Sequence, residues 1–334
     1  MNTRNLNRFG FLAELMCAFL RIFLVVYTFR HLCARGKVTI VQYHDPKPEV
    51  FRRHMDAFSR KYLFIDIDTL AEALDRKDLS GLPPRSMLVT LDDGYRTNAD
   101  LLEIIRAYQI PVVIYAVAGL VGTNRHFWFK TPSCSQPEIR KLKNCQDRER
   151  RAILKQRGHY DKREYEERQS LSSIEVRKLL AIDGVVIGSH TMSHPQLTMC
   201  SNEVGLRECL ESRKTLEDIT QGPVLHFAYP DGDSDKRVHA WVRSAGYRTA
   251  RAASFGWVTA ESDALKLPCI AISDDADVNK ALVQASGLWG IVKCLVGLRP
   301  SGKVRQNWKN EQTNLRTAAL DSDVQEKQRV QESH

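Results

Sequence analysis

Three short segments carry residue types whose spacing could do chemistry at a carbonyl. The first, Thr90-Leu91-Asp92-Asp93-Gly94-Tyr95, sets two adjacent carboxylates at the end of an apolar run. Two such groups cannot be buried ionised without a cation, which suits one to a metal and its neighbour to accepting a proton. Asp-Asp-Gly also makes an ordinary turn after a strand. The second, Gly188-Ser189-His190-Thr191-Met192-Ser193-His194-Pro195, follows Val185-Val186-Ile187. Imidazoles four apart in a turn can converge on one divalent ion, although two independent surface or capping histidines fit the same pattern. Asp93 with His190 and His194 would make a two-histidine, one-carboxylate set with coordination positions left open. The third, Phe227-Ala228-Tyr229-Pro230-Asp231-Gly232, is either a plain tight turn or one whose backbone N–H groups hold a developing oxyanion.

These segments need a scaffold that brings strand ends together. Between Lys37 and Leu298, short β-branched runs alternate with amphipathic stretches of helical period, which predicts a parallel α/β arrangement. Candidate strands are 38–43, 63–66, 86–91, 112–117, 184–188, 224–228 and 267–272; candidate helices are 50–60, 67–75, 98–108, 173–182, 202–220 and 235–245. Seven strand–helix units predict a closed or nearly closed barrel, with reactive groups at the C-terminal strand ends. No G-x-G-x-x-G follows any candidate strand, which argues against a doubly wound dinucleotide fold. Residues 123–172 break the alternation with a strongly charged stretch, predicted to be a helical insertion over one face of the barrel.

The order TLDDGY, GSHTMSH, FAYPDG resembles the polysaccharide deacetylase family, carbohydrate esterase family four with the NodB homology domain. Ile40-Val41-Gln42-Tyr43-His44 is similar to the opening strand of its poly-N-acetylglucosamine deacetylase-like branch, and Leu267-Pro268 and Ala285-Ser286-Gly287-Leu288 loosely match its closing segments. The resemblance covers roughly residues 38–298 and implies a distorted (β/α)7 barrel. It implies that Asp92 is the general base, that Asp93, His190 and His194 hold a divalent metal, most consistently Zn²⁺, and that the Asp231 N–H donates to the oxyanion. The implied activity is hydrolysis of N-acetyl groups on N-acetylhexosamine units of a polysaccharide or glycan precursor. Two features depart from the pattern. Ala228 stands where many members carry an arginine that tethers the base, and no late Leu-x-His appears, since no histidine lies between His239 and His334. Arg251 could approach Asp92 instead. His44, at the end of the first strand, could donate the proton to the leaving amine, or could be a structural histidine bonded to Asp45. The departures motivate an alternative reading as a carbohydrate-binding or assembly protein with impaired catalysis. Phe127-Trp128-Phe129, Tyr229 and Trp257 could stack on pyranose faces, though such aromatics are more often core.

Composition bounds the rest. At 334 residues, 43% hydrophobic and 27% charged, the chain is neither disordered, collagenous nor multi-spanning. Its net charge of +9 is unevenly placed: residues 1–37 carry +5, residues 123–170 carry +6 and residues 301–334 carry +1, leaving −3 for the barrel. That distribution argues against a nucleic-acid groove and fits solvated basic helices or peripheral association with an anionic membrane. The chain is therefore expected to divide into an apolar and basic segment (1–37), a barrel (38–300) and a polar tail (301–334). The apolar run Phe11–Phe29 is interrupted by Glu14 and Arg21, which suits an interfacial helix better than a membrane span. Eight cysteines without regular spacing predict reduced thiols and lean toward a cytoplasmic or membrane-associated setting, with the envelope as the alternative.

Overall fold

Strands β1 (Thr39–Tyr43), β3 (Ser86–Asp93), β4 (Val112–Ala116) and β5 (Val185–Ser189) are β-branched runs buried almost throughout. Burial on both faces is what a parallel sheet covered by helices imposes. The computed structural model describes Phe19, residues 25–160 and residues 162–295. Four shorter strands complete the sheet: β2 (Leu63–Phe64), β6 (His226–Ala228), β7 (Thr249–Arg251) and β8 (Ile270–Ala271). Their order is β7-β6-β5-β4-β3-β1-β8, with β2 against β3 off this path, and every ladder is parallel. A parallel bridge from Arg251 of β7 to Leu267, just before β8, joins the two ends of that order, so the sheet curls into a distorted half-barrel whose edges meet there.

The seven candidate strands are all present, shortened, shifted or, for 86–91, lengthened to Asp93, and an eighth, β7, joins them. Thr249-Ala250-Arg251 has no apolar run to announce a strand: Ala250 joins the outer core, Thr249 meets His226, and the arginine is buried against Asp92. The predicted helices 67–75 and 202–220 appear with those bounds, whereas residues 98–108 split into a 3₁₀ turn, Arg96–Leu101, and a helix, Leu102–Tyr108.

Strand periodicity decides which residues enter the barrel. Side chains two apart share a face, so Ile40 and Gln42 of β1, Leu88, Thr90 and Asp92 of β3, and Val113 and Tyr115 of β4 point inward. Val41, Tyr43, Val89, Leu91 and Ile114 pack outward in a core with Phe51 and Met55 of helix Pro48–Ser59 and Ile104 and Ile105 of helix Leu102–Tyr108. Parallel register then aligns the carboxyl ends: Tyr43 pairs with Leu91, Asp93 with Ala116, Ala116 with Ser189, and Ala228 with Arg251.

The insertion folds as helices Gln136–Lys143 and Asp147–Gln156 around a small core of Trp128, Ile139, Leu142 and Leu154. Its charges lie mainly on the faces turned from that core, which accounts for the basic stretch in the sequence. After the insertion, Ser172 and Glu175 form a capping box that starts helix Ser173–Leu180.

Most of the apolar run 11–29 and the whole polar tail lie outside the described residues. The described part, helix Val25–Cys33, sets Phe29 with its ring centroid 6.1 Å from that of Trp257 and buries Arg30 over the Tyr62 ring at 4.7 Å. No helix among the described residues is long and apolar enough to cross a membrane. The barrel lies within the unit Met1–Gly290; a second unit comprises Ile291–His334. Cys33, Cys134, Cys145, Cys200, Cys209 and Cys269 form no disulfide.

Candidate active site

The aligned strand ends enclose a cavity of about 250 Å³ whose lining includes all three sequence motifs. Asp92, on the inward face of β3, is 3% exposed. Its carboxylate takes contacts at both oxygens from Arg251 Nη2, and Gln42 Nε2 donates to Oδ2 at 2.7 Å. Arg251 is 2% exposed, donates from Nη1 to Cys269 Sγ at 3.2 Å and lies 5.4 Å over the Tyr115 ring. Burial works against the guanidinium charge, but the Asp92 carboxylate and the other acidic groups around it together outweigh it and keep Arg251 cationic. Burial pushes the Cys269 thiol up, so it remains protonated beside the pair.

Asp93 ends β3 with φ +69°, and this left-handed step swings its carboxylate toward the histidine turn. Gly94 continues the turn at φ +69°, and a Cβ there would sit 2.9 Å from the Ala116 Cβ. Only glycine fits that step. Asp93 Oδ1 lies 3.6 Å from His190 Nε2 and 3.3 Å from His194 Nε2. His190 Nδ1 is 2.8 Å from the carbonyl of Ala228. A carbonyl only accepts, so Nδ1 carries the proton and Nε2 turns its lone pair toward Asp93.

These residues fit a divalent ion. One ligand atom from each of Asp93, His190 and His194 lies within 4.8 Å of the others, all three residues are buried, and Asp93 Oδ1 has no hydrogen-bond partner. Such an orphaned buried oxygen is costly unless something else meets it. Burial lowers the His190 pKa to about 4, so the ring is neutral at pH 7. Burial alone would raise the Asp93 pKa, but the neighbouring imidazoles, His194 foremost and then His190, hold it well below the usual carboxylate range. A neutral imidazole and an ionised carboxylate are the protonation states that metal ligation requires.

His44 lines the same cavity, with Nε2 3.3 Å from Gln42 Nε2. Asp274 holds its turn, accepting from the N–H of His44 at 3.0 Å and of Asp45 at 3.2 Å, while Asp45 accepts from Thr97 Oγ1. Asp231 sits at φ +53° in the turn Pro230–Gly232, and its carboxylate pairs with Lys143 from the insertion. Of the aromatic residues considered for stacking on sugars, Phe129 faces the cavity, its ring centroid 4.6 Å from that of His194. Tyr229 contributes wall, but its hydroxyl is engaged by the Leu265 carbonyl at 2.8 Å. Phe127 is buried against Tyr95, Val117 and Leu120, Trp128 lies in the insertion's core, and Trp257 packs against Phe29 and Phe255.

Sequence reasoning did not single out Gln42, Cys269 or Lys143. Gln42 had a usable signal, a lone polar residue in the apolar run Ile40-Val41-Gln42-Tyr43. Lys143 had none, because one lysine among many on a charged helix is indistinguishable until the helix is docked.

Among solved structures, the fold is similar to a Streptococcus pyogenes deacetylase, PplD, in complex with acetate, at TM-score 0.55 and 16% identity over 75% of this chain and 98% of that one. It is also similar to IcaB from Ammonifex degensii (TM-score 0.54, 15% identity, 75% and 97% covered). A third is the BpsB deacetylase domain from Bordetella bronchiseptica (TM-score 0.51, 11% identity, 71% and 96% covered). No curated protein sequence matches significantly. Residues 80–250, just over half of the 334 and including all three motifs, match the family described as polysaccharide deacetylase. With that match, the curled parallel sheet and the buried Asp-His-His cluster in place, the chain belongs to the polysaccharide deacetylase family.

Proposed function

We propose that the protein is a metal-dependent hydrolase that removes N-acetyl groups from N-acetylhexosamine units of a polysaccharide or glycan precursor. The observation that carries this reading is the joining, in one cavity, of a metal-competent cluster (Asp93, His190, His194) with a carboxylate, Asp92, held by a buried arginine. A divalent ion in that donor set, zinc by ligand type, would supply Lewis acidity toward the acetyl group.

The chain's own residues supply the rest. Asp92 takes the proton from the attacking water, and Arg251 and Gln42 hold its carboxylate in place from two sides. The backbone N–H of Asp231 donates to the acetyl oxygen as negative charge develops there. His44 returns a proton to the departing nitrogen, so that the products are acetate and a free amine. Arg251 also bears on one of the two reasons for suspecting impaired catalysis: a tether missing at Ala228 can come instead from β7, whose Arg251 is the register partner of Ala228.

The test is acetate release from N-acetylglucosamine oligomers by zinc-loaded protein. Asp92→Asn is expected to retain metal and lose turnover by about 10²–10⁴-fold, the usual worth of a positioned base. His190→Ala is expected to lose both. Wild-type protein that binds glycans but releases no acetate from any of them refutes the hydrolase reading.

A further inference from the structure

The turn that carries His190 and His194 is bent against its preferences: Thr191 has φ +69° and His194 φ +55°. Left-handed backbone at a β-branched residue persists only where its surroundings hold it. The extension of β4 meets two of its carbonyls, with Ala118 N–H on Thr191 O at 2.9 Å and Gly119 N–H on Met192 O at 3.0 Å. Two of its N–H groups, those of Met192 and Ser193, are met from further away. Glu208, in the middle of helix Asn202–Thr220 and 6% exposed, accepts from the N–H of Met192 and of Ser193, each at 2.9 Å, and from Ser193 Oγ at 2.6 Å.

The insertion reaches the same turn twice. Arg151 Nη2 donates to Ser193 Oγ at 2.9 Å and to Glu208 Oε1 at 3.3 Å, while Asp147 fixes the same guanidinium through Nε at 2.8 Å. The buried indole N–H of Trp128 donates to the carbonyl of His194 at 3.0 Å. A carboxylate, a guanidinium and an indole thus converge on the five residues that bear both histidine ligands.

We propose that Glu208, with Trp128 and Arg151 of the insertion, forms a brace that sets the metal affinity of the Asp93–His190–His194 site. The inference rests on the reading that this cluster holds a divalent ion. All three are positioning residues that act through the turn. Without them the turn relaxes toward ordinary backbone angles, and the imidazoles must be reordered each time an ion binds. Partners outside the ligand set typically change metal affinity by about 10–100-fold. The insertion thereby acquires a task beyond covering one face of the barrel.

The test uses the full chain, stripped of metal and titrated with Zn²⁺ against a chromogenic chelator, with the Co²⁺ absorption spectrum as a reporter of ligand geometry. Trp128→Phe keeps the ring and loses only the N–H bond; Arg151→Met and Glu208→Ala remove the other two arms. Each is expected to weaken Zn²⁺ at least tenfold and to alter the Co²⁺ bands. Glu208→Gln is expected between wild type and Glu208→Ala, because its amide oxygen can still accept. Unfolding of the metal-free proteins is measured alongside. Variants whose folded fraction binds Zn²⁺ as tightly as wild type overturn the brace, whether or not they are destabilised. Wild type that takes up neither ion overturns the metal reading and the brace together, an outcome distinct from equal binding by all.

Discussion

Replacing Arg251 by leucine leaves the Asp92 carboxylate in a barrel interior where it is 3% exposed. Of its contacts, the two from Arg251 vanish and the 2.7 Å bond from Gln42 remains. Removing one partner of a buried ion pair costs about 3–5 kcal/mol, because the other charge is stranded. For a barrel of this size each kcal/mol moves the midpoint by about 2–4 °C, so a fall on the order of 10 °C is expected. The measurement is thermal unfolding by circular dichroism with metal removed by chelator, so that ligand binding does not enter. Arg251→Lys keeps a charge but loses the planar fork and should fall in between. The double variant Asp92→Leu with Arg251→Leu should recover most of the loss, since an apolar pair of similar volume no longer strands a charge. Turnover should be lost in all three. A midpoint for Arg251→Leu within about 2 °C of wild type, or a double variant no more stable than the single, refutes the stranded-charge argument.

Two other measurements bear on the site. The His190 pKa is depressed from 6.5 to about 4 in the folded chain, chiefly by burial. As pH falls the unfolded chain therefore takes up a proton first, so metal-free protein keeps full stability above about pH 6.5 and loses up to about 3 kcal/mol by pH 4. Asp93, held below the carboxylate range, adds a further loss at lower pH as it is protonated. Denaturant titrations at stepped pH should show the upper window flattened in His190→Gln; equal slopes in variant and wild type refute the assignment. His44→Ala should lower kcat on an acetylated oligomer by at least about tenfold if His44 is the proton donor, and unchanged turnover eliminates that role.

The ladder Thr39–Tyr43, Ser86–Asp93, Val112–Ala116 and Val185–Ser189 was legible because β-branched runs buried on both faces carry a strong signal. The metal-competent triad of Asp93, His190 and His194 was legible for a different reason: carboxylate and imidazole groups stood directly after such strands, where parallel register brings ends together. β7 was not legible, because only Ala250 of its three residues is apolar and Arg251 is buried by a charge interaction rather than by hydrophobicity. The aromatic run 127–129 was only partly readable: spacing could not say that Phe127 and Trp128 turn into packing while Phe129 turns to the cavity.

The sequence by itself determined the chemistry available to this protein, its donor types, their order and the strand ends that carry them, since these depend on local pattern and period. Only the tertiary structure decided who steadies whom. Lys143 on Asp231, and Glu208, Arg151 and Trp128 on the histidine turn, are pairings between residues far apart in the chain; Arg251 on Asp92 is another, expected only because Ala228 stands where a tether was sought. No local pattern encodes them, because a polar side chain reads as exposed until the fold buries it against its partner.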